Sequence, residues 1–267
     1  MPELPEVETV RRELEPWLLG RSIAAASHHP SHKFCSASDA VGTAIETVGR
    51  RGKYLILDLD DDRQLIVHLG MTGKLRPTVA TVAPGPHVRA RWELDDGSVL
   101  EFDDIRRFGR IAVVPHGCYR SLPTLDALGP EPFDEDFEPT TFTQALRASH
   151  RAVKTQLLSQ RPVAGVGNIY ADEALWEARI NPTTRRLSAG RAARLHSAIR
   201  LVLGRGLRNG GTTLRDYRAP SGRSGRNQHT LRCYGRAEEP CERCATDLRR
   251  KTVDARATTW CPACQAR

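Results

Sequence analysis

Four cysteines near the C-terminal end limit how this chain can fold more than any other feature of the sequence. Cys241 and Cys244 form one C-x2-C pair, Cys261 and Cys264 form a second, and 16 residues lie between the pairs. Two such pairs at this separation are typical of a tetrahedral four-thiolate zinc site. With four protein ligands the site has no open position, so the sequence predicts one structural Zn2+. Chance spacing and a redox pair are the alternatives, and the doubled spacing favours zinc.

The charge of the chain is unevenly distributed. Residues 185–267 contain 19 Lys and Arg against 6 Asp and Glu, a net charge of +13, whereas residues 1–184 contain 21 against 26. A basic C-terminal third beside an acidic remainder favours a polyanionic partner such as a nucleic acid. A solvated basic surface on an arginine-rich protein is the alternative, and charge alone does not separate the two.

Two kinds of periodicity follow one another along the chain. Residues 5–18 place apolar side chains at intervals of three and four, which predicts an amphipathic helix that ends at Gly20. Over residues 45–114, short apolar runs alternate with turn clusters, which predicts an antiparallel β domain, either a sandwich or a barrel. Prolines and acidic residues at 123–140 suggest a boundary, and residues 141–207 show helical patterns. The sequence therefore predicts an α+β protein.

The sequence shows no feature of a membrane or secreted protein. No run of 18 apolar residues occurs, so we expect no membrane partner. The chain begins with prolines and acidic residues, where a signal peptide has a basic and then an apolar stretch. We therefore expect a cytoplasmic protein whose thiols stay reduced. Cys35, Cys118 and Cys233, which have no C-x2-C partner, are interpreted as ordinary thiols.

Five motifs, taken in order, identify the family that the chain resembles. They are Pro2 to Glu8 (PELPEVE), Arg51 to Tyr54 (RGKY), His68 to Gly73 (HLGMTG), Arg106 to Gly109 (RRFG) and Gly165 to Glu173 (GVGNIYADE). Together with the cysteine pairs, they resemble the formamidopyrimidine-DNA glycosylases (Fpg) over essentially the whole chain. Leu4 is typical of the formamidopyrimidine branch, since the sister endonuclease VIII branch usually has glycine at this position.

The resemblance implies a fold and an activity. The implied α+β fold has an N-terminal helix with an antiparallel β-sandwich (1–132), a helical domain with a helix–two-turns–helix element (133–230) and a C-terminal zinc ribbon (231–267). The implied activity is that of a bifunctional DNA glycosylase and AP lyase, which excises 8-oxoguanine and formamidopyrimidines and then cleaves the strand by β,δ-elimination. We expect a monomer that binds double-stranded DNA containing oxidised bases or abasic sites. It would need no organic cofactor, and it would be nucleoid-associated when bound to DNA.

The resemblance implies that Pro2 is the catalytic nucleophile and Glu3 the general acid. Removal of Met1 makes Pro2 the terminal residue, and an α-amino group with a pKa of about 8 is partly neutral at working pH. Its attack on the sugar C1′ expels the base and gives an iminium ion, while Glu3 can act as general acid on the ring oxygen. Without the other motifs, the same residues would fit a helix start with a proline and acids in its first turn.

The resemblance also assigns roles to residues further along the chain. The catalytic positions are Lys53 and Arg256, the DNA-binding positions are His87, Arg106, Lys154 and Asn168, and the base-stack wedge comprises Met71, Arg106 and Phe108. Such a wedge fills the gap that an extruded base leaves. Taken singly, Lys53 also fits a strand-edge lysine, and Met71 and Phe108 also fit core packing. Asn168 fits the N-cap of a helix that begins at Ile169 and binds phosphate there.

The chain departs from the family pattern at two positions. Asn227 stands where an aromatic residue is common in the loop that covers the extruded base, and Ile105 stands where proline is usual. These changes leave the lesion preference open. The alternatives are an endonuclease VIII-like glycosylase for oxidised pyrimidines and a non-catalytic protein that recognises damaged DNA. Intact Pro2 and Glu3 favour an enzyme.

Overall fold

A computed structural model of the chain describes residues 1–266 and divides them between two units. The sandwich unit comprises Met1–Asp126 and Asn209–Arg226, and the helical unit comprises Ala127–Arg208 together with the chain from Asn227 onward. The chain thus leaves the sandwich unit after residue 126 and returns to it for one segment of 18 residues, 209–226. The three-part division at 132 and 230 remains a prediction.

The first element is the amphipathic helix that the apolar periodicity predicts. Helix α1 spans Leu4–Leu18 and carries Pro5 in its first turn, where a proline costs no intrahelical hydrogen bond. Its apolar stripe of Val7, Val10, Leu14 and Leu18 is buried in the core of the sandwich unit. Burial of this stripe fixes the helix, and with it the position of the first residues of the chain.

Eight antiparallel strands form the two sheets of the sandwich unit. The strands are β1 (Ile23–His28), β2 (Ile45–Arg51), β3 (Tyr54–Leu59), β4 (Arg63–His68), β5 (Lys74–Val79), β6 (Val88–Leu94), β7 (Ser98–Asp103) and β8 (Arg110–Pro115). One sheet has the order β1-β6-β7-β5 and the other the order β2-β3-β4-β8. Side chains of both sheets and of α1 join one core, so the β domain is a sandwich, as the resemblance implies.

A short helix, α2 (Pro123–Asp126), ends the first part of the sandwich unit, and four longer helices follow in the helical unit. These are α3 (Pro139–Arg147), α4 (Val153–Leu158), α5 (Asn168–Glu177) and α6 (Ala189–Arg208). Helix α5 is buried on nearly all sides because it packs against α4, α6 and the last strand of the chain. The predicted helical patterns within 141–207 are therefore confirmed.

The C-terminal part of the helical unit is a small ribbon. A 3-10 helix at Asn227–Thr230 leads into a two-stranded antiparallel hairpin of β9 (Arg249–Val253) and β10 (Arg256–Trp260). Most side chains of β9 are exposed, so the hairpin contributes little apolar core. Among residues 1–266, no helix is long and apolar enough to cross a membrane.

Candidate functional site

Pro2 and Glu3 are both buried at the start of α1. Glu3 is the N-cap residue of the helix, with an extended backbone (φ −104°, ψ −173°) and an exposed fraction of 2%. Its backbone N–H donates a hydrogen bond of 2.8 Å to Oε2 of Glu6 in the first helical turn. Carboxylates at this end of a helix are stabilised by its dipole. The Glu3 side chain in turn accepts from the backbone N–H of Glu6, so hydrogen bonds fix both the backbone and the side chain of Glu3.

Glu6 is a site residue that the sequence analysis did not single out. Its second carboxylate oxygen, Oε1, accepts a hydrogen bond of 2.6 Å from the backbone N–H of Thr212. Gly211 has φ +83°, and a Cβ added there would lie 2.8 Å from Cγ of Glu6. One buried carboxylate thus joins the start of α1 to segment 209–226. A glutamate three residues after an N-cap predicts the helix start, but nothing in the sequence predicts the contact with Thr212.

Tyr217 fixes the same segment from a second point. Its hydroxyl donates to the backbone oxygens of Glu6 and Gly210, each at 3.3 Å. Burial raises the pKa of this hydroxyl, so Tyr217 remains a neutral donor. Segment 209–226 is therefore anchored to the amino end of α1 within the sandwich unit.

Lys53 lies in the tight turn between β2 and β3, and its side chain is 2% exposed. It is therefore not a solvated strand-edge lysine. Burial, reinforced by the charge of Lys53, lowers the pKa of His68 to about 4, so His68 is neutral at pH 7. The neutral ring packs on Tyr54 at a centroid distance of 4.7 Å, and its Nδ1 accepts a hydrogen bond from the N–H of Gly70. His68 is thus close enough to Lys53 to feel its charge, and it is also hydrogen-bonded to the loop that carries Met71.

The structure brings together the three residues predicted to form a wedge. Met71 lies in the loop 69–73 between β4 and β5, and Arg106 and Phe108 lie in the loop 104–109 between β7 and β8. The Arg106 guanidinium lies 4.7 Å from the centre of the Phe108 ring. Phe108 is 49% exposed, which excludes core packing as its role. Ile105, the departure from the family pattern, is also exposed beside them.

His87 is exposed and lies next to the loop 104–109. Its backbone oxygen accepts a hydrogen bond of 2.9 Å from the N–H of Asp104. Arg89 donates to the backbone oxygen of Asp104 at 2.9 Å and lies 3.4 Å from Nδ1 of His87. The sandwich unit therefore places His87 and the wedge residues on neighbouring loops.

Asn168 is the first residue of α5, and the cap position before it belongs to Gly167. The predicted N-cap role of Asn168 is therefore wrong, because the helix begins one residue earlier than the pattern indicates. The Asn168 side-chain amide donates to the backbone oxygen of Ala257 in β10 at 3.1 Å. Its position at a helix amino end still favours an anion such as phosphate.

Lys154 is fully buried, with no exposed surface. Its ammonium donates to Oδ1 of Asp172 at 2.6 Å and to Oγ1 of Thr258 at 2.8 Å. Burial raises the pKa of Asp172 to about 6, and the charge of Lys154 opposes that rise. The other oxygen of Asp172 accepts from the N–H of Thr259 at 2.9 Å. Lys154 thus joins α4 and α5 to β10, the strand that begins at Arg256.

Arg256 is exposed at the start of β10. The turn before it contains Asp254 and Ala255, both with positive φ, so the hairpin reverses tightly and leaves the arginine at its tip. Lys154 is therefore buried against β10, whereas Arg256 is exposed at the start of the same strand.

The four cysteines of the two C-x2-C pairs converge on one point. Their sulfur atoms all lie within 4.8 Å of one another, and Sγ of Cys244 and Cys261 are 3.5 Å apart. Sulfurs bound to one tetrahedral zinc lie about 3.8 Å apart, so the set fits this ion. Hydrogen bonds from Thr246 lower the pKa of Cys244 to about 6, whereas burial raises the pKa of Cys261 and Cys264, so zinc itself would hold these two as thiolates. The predicted ligand set is complete and closed.

The remaining cysteines lie outside this set. Cys35 and Cys118 are exposed thiols, and Cys233 is buried and donates to the backbone oxygen of Thr259 at 3.1 Å. Burial raises the pKa of Cys233, so it stays a neutral thiol.

Asn227 begins the 3-10 helix of the helical unit, directly after segment 209–226. It is 3% exposed, and its amide lies 3.4 Å from the hydroxyl of Tyr170 in α5. Its backbone and side-chain oxygens both accept from Oγ1 of Thr230 at 2.9 Å. The unusual asparagine therefore replaces an aromatic residue with a buried polar contact inside the helical unit.

Comparison with known proteins gives a consistent result along the chain. Family models match the Formamidopyrimidine-DNA glycosylase N-terminal domain at residues 1–111, its H2TH domain at 128–218, and a zinc finger found in FPG and IleRS at 238–267. The formamidopyrimidine-DNA glycosylase of Deinococcus radiodurans is 46% identical over 99% of this chain and 97% of its own length.

Two solved structures extend this similarity to the fold. The MutM (Fpg) protein of Thermus thermophilus is 44% identical, with a TM-score of 0.92 over 99% of this chain and 98% of its own. A Lactococcus lactis Fpg variant, in complex with DNA that contains Fapy-dG, is 36% identical, with a TM-score of 0.91 over the full length of both chains.

Proposed function

The chain belongs to the formamidopyrimidine-DNA glycosylase family, and we propose that Pro2 is its nucleophile and Glu3 its general acid. The protein is a bifunctional DNA glycosylase and AP lyase of base excision repair. It excises oxidised purines from duplex DNA and cleaves the strand at the resulting abasic site. The observation that carries the residue assignment is the buried start of α1, where Glu6 holds the backbone of Glu3.

The chemistry follows from the amine of Pro2 once Met1 is removed. The neutral secondary amine forms a bond to C1′, the bond from C1′ to the damaged base breaks, and the base leaves with the proton that the amine gives up. Glu3 gives a proton to the ring oxygen, which opens the sugar and leaves an iminium ion on Pro2. The iminium acidifies C2′, and loss of that proton expels the 3′ phosphate by β-elimination. The conjugated iminium that results acidifies C4′, and loss of the C4′ proton expels the 5′ phosphate by δ-elimination. A fixed Glu3 backbone keeps amine and acid in one geometry.

We assign the remaining predicted residues by their surroundings. Lys53 and Arg256 act as catalytic contacts to the DNA near the lesion, His87 and Asn168 bind its phosphates, and Met71, Arg106 and Phe108 fill the gap that the extruded base leaves. Lys154 could touch phosphate only by breaking its buried pair with Asp172. We therefore give Lys154 a positioning role, in which it acts on DNA through the hairpin that carries Arg256.

One structural Zn2+ is the only cofactor we assign. The two C-x2-C pairs would hold it, and when bound it fixes the fold of a ribbon that is too small for an apolar core. Reduced thiols are required for this site, which supports a cytoplasmic protein that associates with the nucleoid through DNA. We propose that it acts as a monomer.

Cleavage of paired duplex substrates tests the lesion class. We expect excision of 8-oxoguanine opposite cytosine to be much faster than excision of thymine glycol, because the relatives are named for formamidopyrimidines, which are ring-opened purines. Clear preference for thymine glycol would show that the chain works as an endonuclease VIII-like enzyme.

The variant Glu3→Gln tests the proposed acid. Glutamine keeps the size of the side chain but has no acidic proton to donate. The rate of 8-oxoguanine excision should therefore fall at least a hundredfold, roughly the rate enhancement that a general acid provides. Cleavage at a preformed abasic site should fall less, because the sugar of such a site opens to its aldehyde without an acid on the ring oxygen. Equal loss on both substrates would assign Glu3 a structural role.

A further inference from the structure

We propose that Thr72 and Asp104 form a latch that couples the loops 69–73 and 104–109, so that Met71, Arg106 and Phe108 enter the base stack as one body. The inference rests on the proposed function, since insertion of the wedge belongs to base excision. Neither latch residue touches the reacting atoms, so both are positioning residues.

Asp104 is the fixed centre of the latch. It has no exposed surface, and both oxygens of its carboxylate are used. Oδ1 accepts a hydrogen bond of 2.5 Å from the hydroxyl of Thr72, and Oδ2 accepts one of 2.7 Å from the backbone N–H of Gly109. Its backbone bonds to His87 and Arg89 tie it to β6. Asp104 therefore closes its own loop and also reaches the neighbouring one.

Thr72 completes the connection in the other direction. While its hydroxyl donates to Asp104, its oxygen accepts a hydrogen bond of 3.1 Å from the backbone N–H of Arg106. Thr72 directly follows Met71 and is 6% exposed, so these bonds are shielded from water. One hydroxyl thus links the residue next to Met71 with the backbone of a second wedge residue.

The backbones of the two loops also meet directly. Gly70 has φ +64°, and a Cβ added there would overlap the carbonyl group of Phe108. At Gly109, a Cβ would lie 2.5 Å from the Phe102 ring and 3.0 Å from Oδ2 of Asp104. Glycine at 70 therefore lets the two loops meet backbone to backbone, and glycine at 109 leaves room for Phe102 and the Asp104 carboxylate.

Outside the latch, the loop 104–109 is held by Arg89, which donates to the backbone oxygen of Asp104, and by Lys33, which donates to the backbone oxygen of Arg107 at 2.9 Å. Phe108 is half-exposed, and Arg106 contacts it mainly through its guanidinium. A side chain that enters a base stack must resist the stacking it displaces, and an unsupported loop would yield instead. The two hydrogen bonds of Thr72 add resistance to such a displacement, because they fix each loop to the other.

The variant Thr72→Val tests the latch, because valine keeps the shape of threonine but neither donates nor accepts. We expect single-turnover excision of 8-oxoguanine opposite cytosine to slow roughly tenfold, about the value of the lost hydrogen bonds. Cleavage at a preformed abasic site should change less than about threefold, because no base has to be extruded. Thr72→Ser, which keeps the hydroxyl, should behave as wild type, and Thr78→Val in β5 is a matched control.

A double-mutant cycle with Met71→Ala separates coupling from general damage. If Thr72 acts through the wedge, Thr72→Val should slow excision clearly less in the Met71→Ala background than in the wild type. Additive effects, equal slowing on both substrates, or a Thr72→Val variant as fast as Thr78→Val would overturn the latch.

A fluorescence reading makes the test independent of the chemistry at Pro2. A 2-aminopurine beside a non-cleavable tetrahydrofuran site should brighten when the wild-type protein inserts its wedge, and it should brighten less with Thr72→Val. This pattern would support the latch even if the wild type cleaved no substrate, in which case the proposed function alone would fail. Equal brightening by both proteins would overturn the latch whatever the activity.

Discussion

The sandwich unit and the helical unit hold their functional residues by different means. In the sandwich unit, Pro2, Glu3 and the wedge loops rest on an apolar core of two sheets and α1, and backbone hydrogen bonds set their final positions. In the helical unit, the hairpin that carries Arg256 is held by a buried ion pair and by the four-cysteine site. We therefore expect the fold of the sandwich unit to survive the loss of one polar contact, whereas the fold of the ribbon depends on each of a few.

Loss of zinc should give the largest difference between the units. In Cys261→Ser, the ribbon loses a ligand and unfolds, so affinity for lesion-containing duplex should fall at least about a hundredfold. Hydrogen exchange should rise over residues 238–266 and remain unchanged over the strands of the sandwich unit. Cys118→Ser, which removes an exposed thiol, is the control. Full DNA affinity in a sample shown to contain no zinc would contradict the proposed role of the ribbon.

The buried ion pair should come next. In Lys154→Met, Asp172 loses its cation in a buried site, so the helical unit should lose about 3 kcal/mol of unfolding free energy. Arg151→Met breaks an exposed pair with Asp254 in the same unit and should cost less than about 1 kcal/mol. Hydrogen exchange of α4 and α5 measures both. Similar costs for the two variants would mean that burial does not strengthen the dependence on Lys154.

Acid should weaken the sandwich unit through His68. The pKa of His68 is about 6.5 in the unfolded chain, whereas burial and the charge of Lys53 lower it to about 4 in the folded chain. Its stabilising contribution, about 3 kcal/mol, is therefore complete above pH 6.5 and is lost as the pH falls through 4. His68→Gln, which can still accept from Gly70, should flatten the pH dependence of stability of the sandwich unit. An unchanged profile would show that His68 is not the titrating group.

We expect the smallest change in excision rate from alanine substitutions at two glycines, Gly210 and Gly211, at the start of segment 209–226. Both have positive φ, so alanine at either position costs about 1 kcal/mol of backbone strain. A Cβ at Gly210 meets nothing within 4 Å, whereas one at Gly211 meets Glu6. Gly211→Ala should therefore slow excision severalfold through Glu6, while Gly210→Ala should alter only stability. Equal rates in the two variants would remove Glu6 from the positioning of Glu3.

The sequence predicted those parts of the molecule whose determinants lie close together along the chain. The cysteine spacing predicted the metal ligands, and apolar periodicity predicted α1 and the helices of the helical unit. Each depends on residues a few positions apart, so local geometry decides it.

The contacts that position the site could not be predicted in this way. Glu6 reaches Thr212, Thr72 reaches Asp104 and Lys154 reaches Thr258, and each pair is brought together only by the complete fold. Lys154 shows the consequence most clearly. Its motif position suggests a surface contact, but the side chain is fully buried, because Asp172 and β10 surround it.

The central claim is that the amine of Pro2 forms the covalent intermediate, and trapping tests it most directly. Borohydride, added while the protein acts on an 8-oxoguanine:cytosine duplex, should reduce the iminium to a stable protein–DNA adduct. After nuclease and protease digestion, mass spectrometry should place the sugar remnant on an N-terminal peptide that begins with Pro2 and lacks Met1. An adduct mapped to Lys53 or another lysine, or no adduct while the strand is cleaved, would contradict the account.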